Sequence, residues 1–400
     1  MYFEMGNFST SKDSLEFLKN RFREYYEKNN IDLPDRFGRR EFAFILFEGK
    51  GMIRHIGFEK KAQFTNFLKE KSPCHVYYSS AYYKKPNAPT MQEKNWMGAE
   101  LIFDLDSDHL PDADKLSYSQ QLEAVKEEFF KLVNDFLIED FGFNEKYISL
   151  YFSGGRGYHC HVTDPRIFDL DSSERREIVD YITGRDLRDS LIFHEQVTGK
   201  RRYGQRDYPS GKSLKMPKPE EPGWKGRISR GIIDIVYEIK KSNDPIDKLR
   251  EYGVNRSDAE KLLLDLSDDR IDRIKEGKLD QSKMIRKFFL NNALRKTAVA
   301  MSAGETDEPV TCDVKRLIRL PGSLHGKTGL KVEKISLDDL KEFDPLTDAV
   351  VFSEDTIKID LKNPFKIKIK GESFNLELGE QEVPTYLGVI LIGRKMANII

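Results

Sequence analysis

The sequence predicts an α/β (α+β) protein with β-sheets flanked by helices, on three observations. Segments with the two-residue period of strands interchange with segments of the 3.6-residue period of helices through the first 168 residues. From about Asp169 to Thr297 the strand period fades and the helical one persists. The tail then alternates strictly at Phe365, Ile367 and Ile369 and again at Phe374, Leu376 and Leu378, across Gly371. Together these divide the chain into a discontinuous core, residues 1–168 and 301–400, a mainly helical insertion over 169–300, and a small C-terminal β region within the core.

Taken in order, Leu15, Leu18, Phe22 and Tyr25 fall at helical spacing, and strands follow at 41–47 and 52–56. A helix at 60–71, a strand at 75–81 and a polar, proline-bearing loop at 84–95 lead to a strand at 98–106. Leu122, Val125, Phe129, Leu132, Val133 and Phe136 mark a long amphipathic helix. Strands at 147–152 and 158–162 flank a glycine-rich turn. In the insertion, 174–182, 257–266 and 281–296 have helical character, the second opening on Ser257 and Glu260 as a capping box. Residues 200–230 hold ten Lys or Arg against three Asp or Glu, among glycines and prolines that predict loops. That basic stretch suits a nucleic-acid backbone as well as it suits a solvated loop. Strand character returns near Val310.

Composition narrows the function classes. With 66 basic and 67 acidic residues, no whole-molecule field favours a polyanion, so a nucleic-acid site would be a local patch. Cys74, Cys160 and Cys312 are too few and too scattered for a disulfide framework or a four-cysteine zinc site, which fits a reducing, cytoplasmic setting. The most apolar run, residues 386–393, is far short of the roughly 20 residues of a membrane span, and the N-terminus lacks a signal-peptide pattern.

Three constellations carry chemistry. In the strand around Glu100, alternation puts Leu101, Phe103 and Leu105 on one face and Asp104 and Asp106 on the other. Adjacent carboxylates resist joint ionisation unless a cation compensates, so the pair suits a divalent-metal site; a solvated strand end is the alternative. In Ser153-Gly-Gly-Arg-Gly-Tyr-His159, a glycine turn allows close backbone approach, and Ser153, Arg156 and His159 could bond phosphoryl oxygens, although such turns also join ordinary hairpins. Finally, Asp307 and Asp313 precede Arg316, Arg319, His325 and Lys327, a set that could hold a triphosphate and complete the metal site, or could pair on a surface.

In combination and order these residues resemble the small subunit of archaeal and eukaryotic DNA primases. Arg40-Glu-Phe42, Ala81-Tyr82, Phe103-Asp-Leu-Asp106, Ser153 to His159, Asp307 with Val310, and Arg319-Leu-Pro-Gly-Ser-Leu-His325 follow the family's sequence of landmarks; Gly326-Lys-Thr-Gly329 and Phe343-Asp-Pro345 are marks of its archaeal members. The resemblance implies the archaeo-eukaryotic primase catalytic core. It implies synthesis of short RNA primers on single-stranded DNA from nucleoside triphosphates, by two-metal nucleotidyl transfer with Mg²⁺ or Mn²⁺. Carried over by position, the catalytic, metal-binding carboxylates are Asp104, Asp106 and Asp307. Asp313 is the alternative third acid, less favoured because the family's aspartate lies eighteen residues before the histidine, as Asp307 does before His325. Ser153, Arg156, His159, Arg316, Arg319 and His325 become nucleotide-binding residues.

A heterodimer with a large subunit is also implied, and its iron–sulphur cluster cannot be ligated by this chain's three cysteines. One departure stands out. The family's Cys/His zinc knuckle has no counterpart in residues 107–121, which hold no cysteine, so no structural zinc is predicted. A primer-extending repair or gap-filling polymerase of the same superfamily is the alternative.

Overall fold

A computed structural model describes residues 10–110, 113–197, 199–210, 212–279, 283–299 and 310–400. They form two compact units, Met1–Val179 with Ala300–Ile400, and Asp180–Val299.

The first unit begins with helix α1 (Lys12–Lys28), whose N-cap Ser11 accepts a hydrogen bond from the Ser14 amide and whose face of Leu18, Phe22, Tyr25 and Tyr26 is buried. Strands β1 (Phe42–Ile45) and β2 (Met52–Ile56) pair antiparallel, helix α2 (Lys61–Lys71) follows, and β3 (His75–Ser79) returns beside β1. Phe44 meets Phe67 at 4.3 Å and Phe42 meets Phe64 at 5.1 Å between ring centroids, so aromatic packing fixes α2 on this sheet. The expected strand at 98–106 is two strands. β4 (Ala81–Tyr83) pairs with β5 (Trp96–Ala99), and β6 (Leu101–Asp106) restarts after Glu100 in another sheet.

Helix α3 (Tyr118–Lys131) opens with a capping box, Ser117 and Gln120, and runs on as a π-helical stretch over Leu132–Asp140. Strands β7 (Ile148–Phe152) and β8 (Gly157–Val162) form the glycine-turn hairpin, and β8 pairs with β6. Helix α4 (Ser172–Thr183) crosses into the second unit.

That unit is more β-rich than its sequence suggests. Strand β9 (His194–Val197) lies where strand signals fade, and β10 (Lys200–Tyr203), β11 (Arg206–Pro209) and β12 (Lys212–Lys215) occur where the sequence predicts loops. β10 and β11 form a hairpin whose side chains are all exposed, so no hydrophobic alternation marks it. Helix α5 (Asp189–Ile192) precedes these strands, and α6 (Gly223–Lys241) follows, burying Ile228, Ile232, Ile235 and Ile239. Helices α7 (Pro245–Glu251), α8 (Arg256–Asp265) and α9 (Asp268–Lys275), the short strand β13 (Lys278–Leu279) beside β12, and α10 (Lys283–Thr297), packed on α6, complete the unit. The expected cap at Ser257 is displaced: Asn255, among the best N-caps, accepts from the Asp258 amide and starts α8 earlier.

Back in the first unit, the expected strand near Val310 is a 3₁₀ turn, Val310–Cys312, and β14 (Leu317–Arg319) pairs with β3, giving the order β14-β3-β1-β2. β15 (Lys334–Ile335) edges a second antiparallel sheet, β15-β7-β8-β6. After helix α11 (Pro345–Asp348) and strand β16 (Thr356–Leu361), the alternating tail forms the hairpin of β17 (Phe365–Ile369) and β18 (Glu372–Leu376). Its turn places Lys370 and Gly371 at φ +50° and +79°, the two-residue geometry that glycine accommodates. β19 (Gly379–Pro384) and β20 (Ala397–Ile399) flank β16, and the apolar run becomes helix α12 (Thr385–Gly393), buried from Thr385 to Ile392. No helix among the described residues is long and apolar enough to cross a membrane. Cys74, Cys160 and Cys312 are buried and not disulfide-bonded, and burial pushes the Cys74 thiol up to about 12.

Candidate active site

The β15-β7-β8-β6 sheet separates packing from chemistry. Leu101, Phe103 and Leu105 of β6 and Tyr158 and Cys160 of β8 are buried, with α3 packed on these strands and Phe129 stacked on Tyr158 at 5.3 Å. The opposite face carries Asp104, registered against His159, and Asp106, registered against Gly157. His159 Nε2 lies 3.3 Å from Asp104 Oδ1. Burial would raise the Asp104 carboxyl, but His159, Arg319 and Arg316 prevail and hold it below the ordinary carboxylate value. Asp106 lies 3.5 Å from Arg156 Nε, and Arg156 also pairs with Asp108.

The glycine turn is shaped by what surrounds it. Ser153 Oγ accepts from the amides of Gly155 and Gly157, each at 3.3 Å. A Cβ on Gly157 would sit 2.0 Å from the Leu105 carbonyl oxygen, and one on Gly154, at φ +76°, would sit 2.8 Å from His325 Cβ. The bare Gly154 thereby leaves room for His325, and the bare Gly157 lets the turn lie against β6. Thr328 Oγ1 donates to the Gly154 carbonyl at 2.6 Å, which ties the His325 segment to a turn 174 positions earlier in the chain.

His325 Nδ1 lies 3.1 Å from Thr328 Oγ1, and its ring meets His75 edge-on at 4.9 Å. Because the Thr328 hydroxyl hydrogen is committed to Gly154, Nδ1 is the donor and Nε2 is left with a lone pair. Burial, then Arg319, His75, Arg394 and Lys327, keep this imidazole neutral by holding its pKa well below the ordinary value.

Arg319, registered against Tyr77, lies 5.7 Å from that ring's centroid, and its buried Nε has no hydrogen-bond partner among the described residues. Asp104, Asp106, Ser153, Arg156, His159, Arg316, Arg319 and His325 are thus drawn together by contacts or by their fields. The Asp313 carboxylate makes no ion pair with these residues; it accepts from the Lys315 amide at 2.9 Å, its carbonyl accepts from the Arg316 amide at 3.2 Å, and its charge acts on Tyr83 and Arg175. Asp307 lies outside the described residues. Among the described residues no three His, Cys, Asp or Glu side chains are grouped to hold a metal ion.

Comparison with known proteins decides the family. Residues 103–335 match the family model described as DNA primase small subunit. The chain is 42% identical over 404 residues to the DNA primase small subunit PriS of Methanosarcina acetivorans, covering 97% of each chain. It is 44% identical over 399 residues to that of Methanosarcina barkeri, covering 96% of each, and 40% identical over 386 residues to that of Picrophilus torridus, covering 95% of this chain and 97% of that one. The chain belongs to the DNA primase small-subunit family. It is accordingly a nucleotidyltransferase with an α+β primase core.

Tertiary packing around these residues adds partnerships that no local pattern shows. Arg394, at the end of α12, lies 4.6 Å from the Tyr118 ring centroid, and its charge acts on His325. Arg40 and Glu100 form a buried ion pair. Arg40 also donates to the Ser79 carbonyl at 2.7 Å and the Tyr82 hydroxyl at 3.0 Å, while Glu100 faces His161 Nδ1 at 3.3 Å. Burial alone would raise the Glu100 carboxyl, yet Arg40 and His161 lower it to about 2. The sequence marks Arg40 and Glu100 separately; their partnership across 60 positions appears only in three dimensions. Where the family's knuckle would lie, Gln121 bonds Ser107 Oγ at 3.2 Å and the Ala113 carbonyl at 2.7 Å.

Proposed function

We propose that this chain is the catalytic subunit of a DNA primase, making short RNA primers on single-stranded DNA from nucleoside triphosphates. The observation that carries this reading is the meeting of three segments far apart in sequence: the Asp104 and Asp106 strand, the Ser153 to His159 turn, and the Arg319 to His325 segment. The Thr328–Gly154 bond and the action of Arg319 on Asp104 link them. Residues 1–168 with 301–400 would form the catalytic core and residues 169–300 an inserted subdomain.

Asp104, Asp106 and Asp307 would hold Mg²⁺ or Mn²⁺, and the donor chemistry fits: hard carboxylate oxygens side by side, with Asp104 kept ionised by its cationic neighbours. Asp307 is preferred as third ligand by its spacing from His325, and Val310–Cys312, close after it, packs on β6. When bound, the ions would lower the pKa of the attacking 3′-hydroxyl and neutralise triphosphate charge. The chain's own side chains orient the nucleotide. Arg319 offers a buried N–H without an acceptor, and Arg316, Arg156 and the turn residue Ser153 add donors around the phosphates. His159 holds Asp104 in place, and no covalent enzyme intermediate is required. A large subunit is the expected partner.

The test is synthesis on unprimed single-stranded DNA with labelled nucleotides and Mg²⁺ or Mn²⁺, with and without large subunit. Wild type should make primers, and Asp104→Asn/Asp106→Asn should lose at least about a hundredfold of that activity, about 3 kcal/mol in barrier, with the fold retained. Extension of supplied primers alone would transfer the assignment to the repair-polymerase alternative. Substantial activity in the double variant would remove these aspartates from the reaction.

A further inference from the structure

The β10–β11 hairpin carries a surface that the catalytic reading leaves unused. Its register pairs Arg201 with Tyr208 and Tyr203 with Arg206, and Gly204, at φ +64°, opens the tight turn between the strands. Cross-strand partners share a face, as do residues two apart on one strand. Arg201, Tyr203, Arg206 and Tyr208 therefore occupy one face in a checkerboard of two cations and two aromatic rings.

Tyr203 is 70% exposed and Tyr208 50%, their centroids 6.4 Å apart. Two large rings held in solvent contribute little to a core. Arg201, Tyr203 and Tyr208, with the neighbouring Pro209 and Ser210, line an open hollow of about 850 Å³. Lys200 and Arg202 add charge on the other face, against Asp207 as the hairpin's one acid, and no ion pair engages any of the four cations among the described residues. A basic strip alone would suit any polyanion. Interleaved rings narrow the choice, because stacking needs open base faces, which a duplex conceals and a single strand presents.

We propose that this face binds single-stranded DNA, with Tyr203 and Tyr208 stacking on bases and Arg201 and Arg206 engaging phosphates. The inference rests on the primase reading, which supplies a single-stranded template, and it places a template contact in the inserted unit.

The test measures binding of fluorescent oligo(dT) by the full chain across a salt series, with primer synthesis followed in the same preparations. Tyr203→Ala/Tyr208→Ala should weaken binding about tenfold or more while leaving the salt slope unchanged, and Tyr203→Phe/Tyr208→Phe should bind as wild type. Arg201→Gln/Arg206→Gln, which leaves the rings in place, should weaken binding and reduce the logarithmic salt slope by about 1.4, the value for two single-strand phosphates. Wild-type affinity in both the alanine and glutamine variants overturns the proposal. So does an effect confined to the arginines, or equal competition by duplex DNA. If wild type synthesises primers and these variants bind normally, the hairpin proposal alone fails; if wild type synthesises nothing, the primase reading fails with it.

Discussion

Charge is handled in opposite ways around β6 and on the β10–β11 hairpin. Near β6, Arg40 is matched by Glu100 and Asp106 by Arg156, and Asp104 stands in the fields of Arg319 and Arg316, beside a sheet whose other face is packed. On the hairpin, Lys200, Arg201, Arg202 and Arg206 stand in solvent with no ion pair among the described residues. The cost of fixing charge near β6 is met during folding, so those groups are ordered before a substrate arrives. The hairpin cations keep their hydration and their rotamer freedom until an external partner engages them.

The contrast breaks most readily at Arg40. Arg40→Met should destabilise the protein by about 3 to 5 kcal/mol in denaturant unfolding, because it leaves Glu100 buried without its cation. Tyr203→Ala/Tyr208→Ala should stay within about 0.5 kcal/mol of wild type. A cost below about 1 kcal/mol at Arg40 would mean that water or another cation reaches Glu100.

Acid gives the next largest effect. The Glu100 carboxyl is depressed from 4.5 to about 2, so its contribution is complete above about pH 4.5 and is lost as pH falls toward 2. That contribution is on the order of 3 kcal/mol, and Glu100→Gln should flatten the acid limb of the stability profile correspondingly. An unchanged acid limb in Glu100→Gln would assign the loss to other carboxylates.

The smallest effect concerns His325. Its Nε2 carries a lone pair in the free protein, so contact with a phosphate oxygen requires proton uptake on nucleotide binding. Nucleotide affinity should therefore rise as pH falls, by no more than about tenfold per unit, the limit for one proton. His325→Gln should remove that dependence; a wild-type profile in this variant would take His325 away from the phosphates.

Much of this architecture was legible from local pattern. The helix at Leu15 to Tyr25, the tail hairpin across Gly371, and the shared face of Asp104 and Asp106 follow from period alone. The hairpin at Lys200 was not legible, because a strand pair exposed on both faces has no apolar alternation to reveal it. Asn255 outcompeted the capping box at Ser257 because a stronger cap lay just upstream. Neither Arg394 nor His75 belongs to a motif; tertiary packing brings each to His325. Gln121 also gave no signal, since its partners at Ser107 and Ala113 are a hydroxyl and a backbone carbonyl, groups that any sequence contains.

The buried cysteines divide the molecule in a further way. Cys74, Cys160 and Cys312 all belong to the unit that contains β6, and the Asp180–Val299 unit has none. With burial raising the thiols of Cys74 and Cys160, these sulfurs react slowly until the structure around them opens. A thiol-specific reagent is thus a clock for one unit and blind to the other, and its labelling rate reports how often the packing around these three cysteines opens.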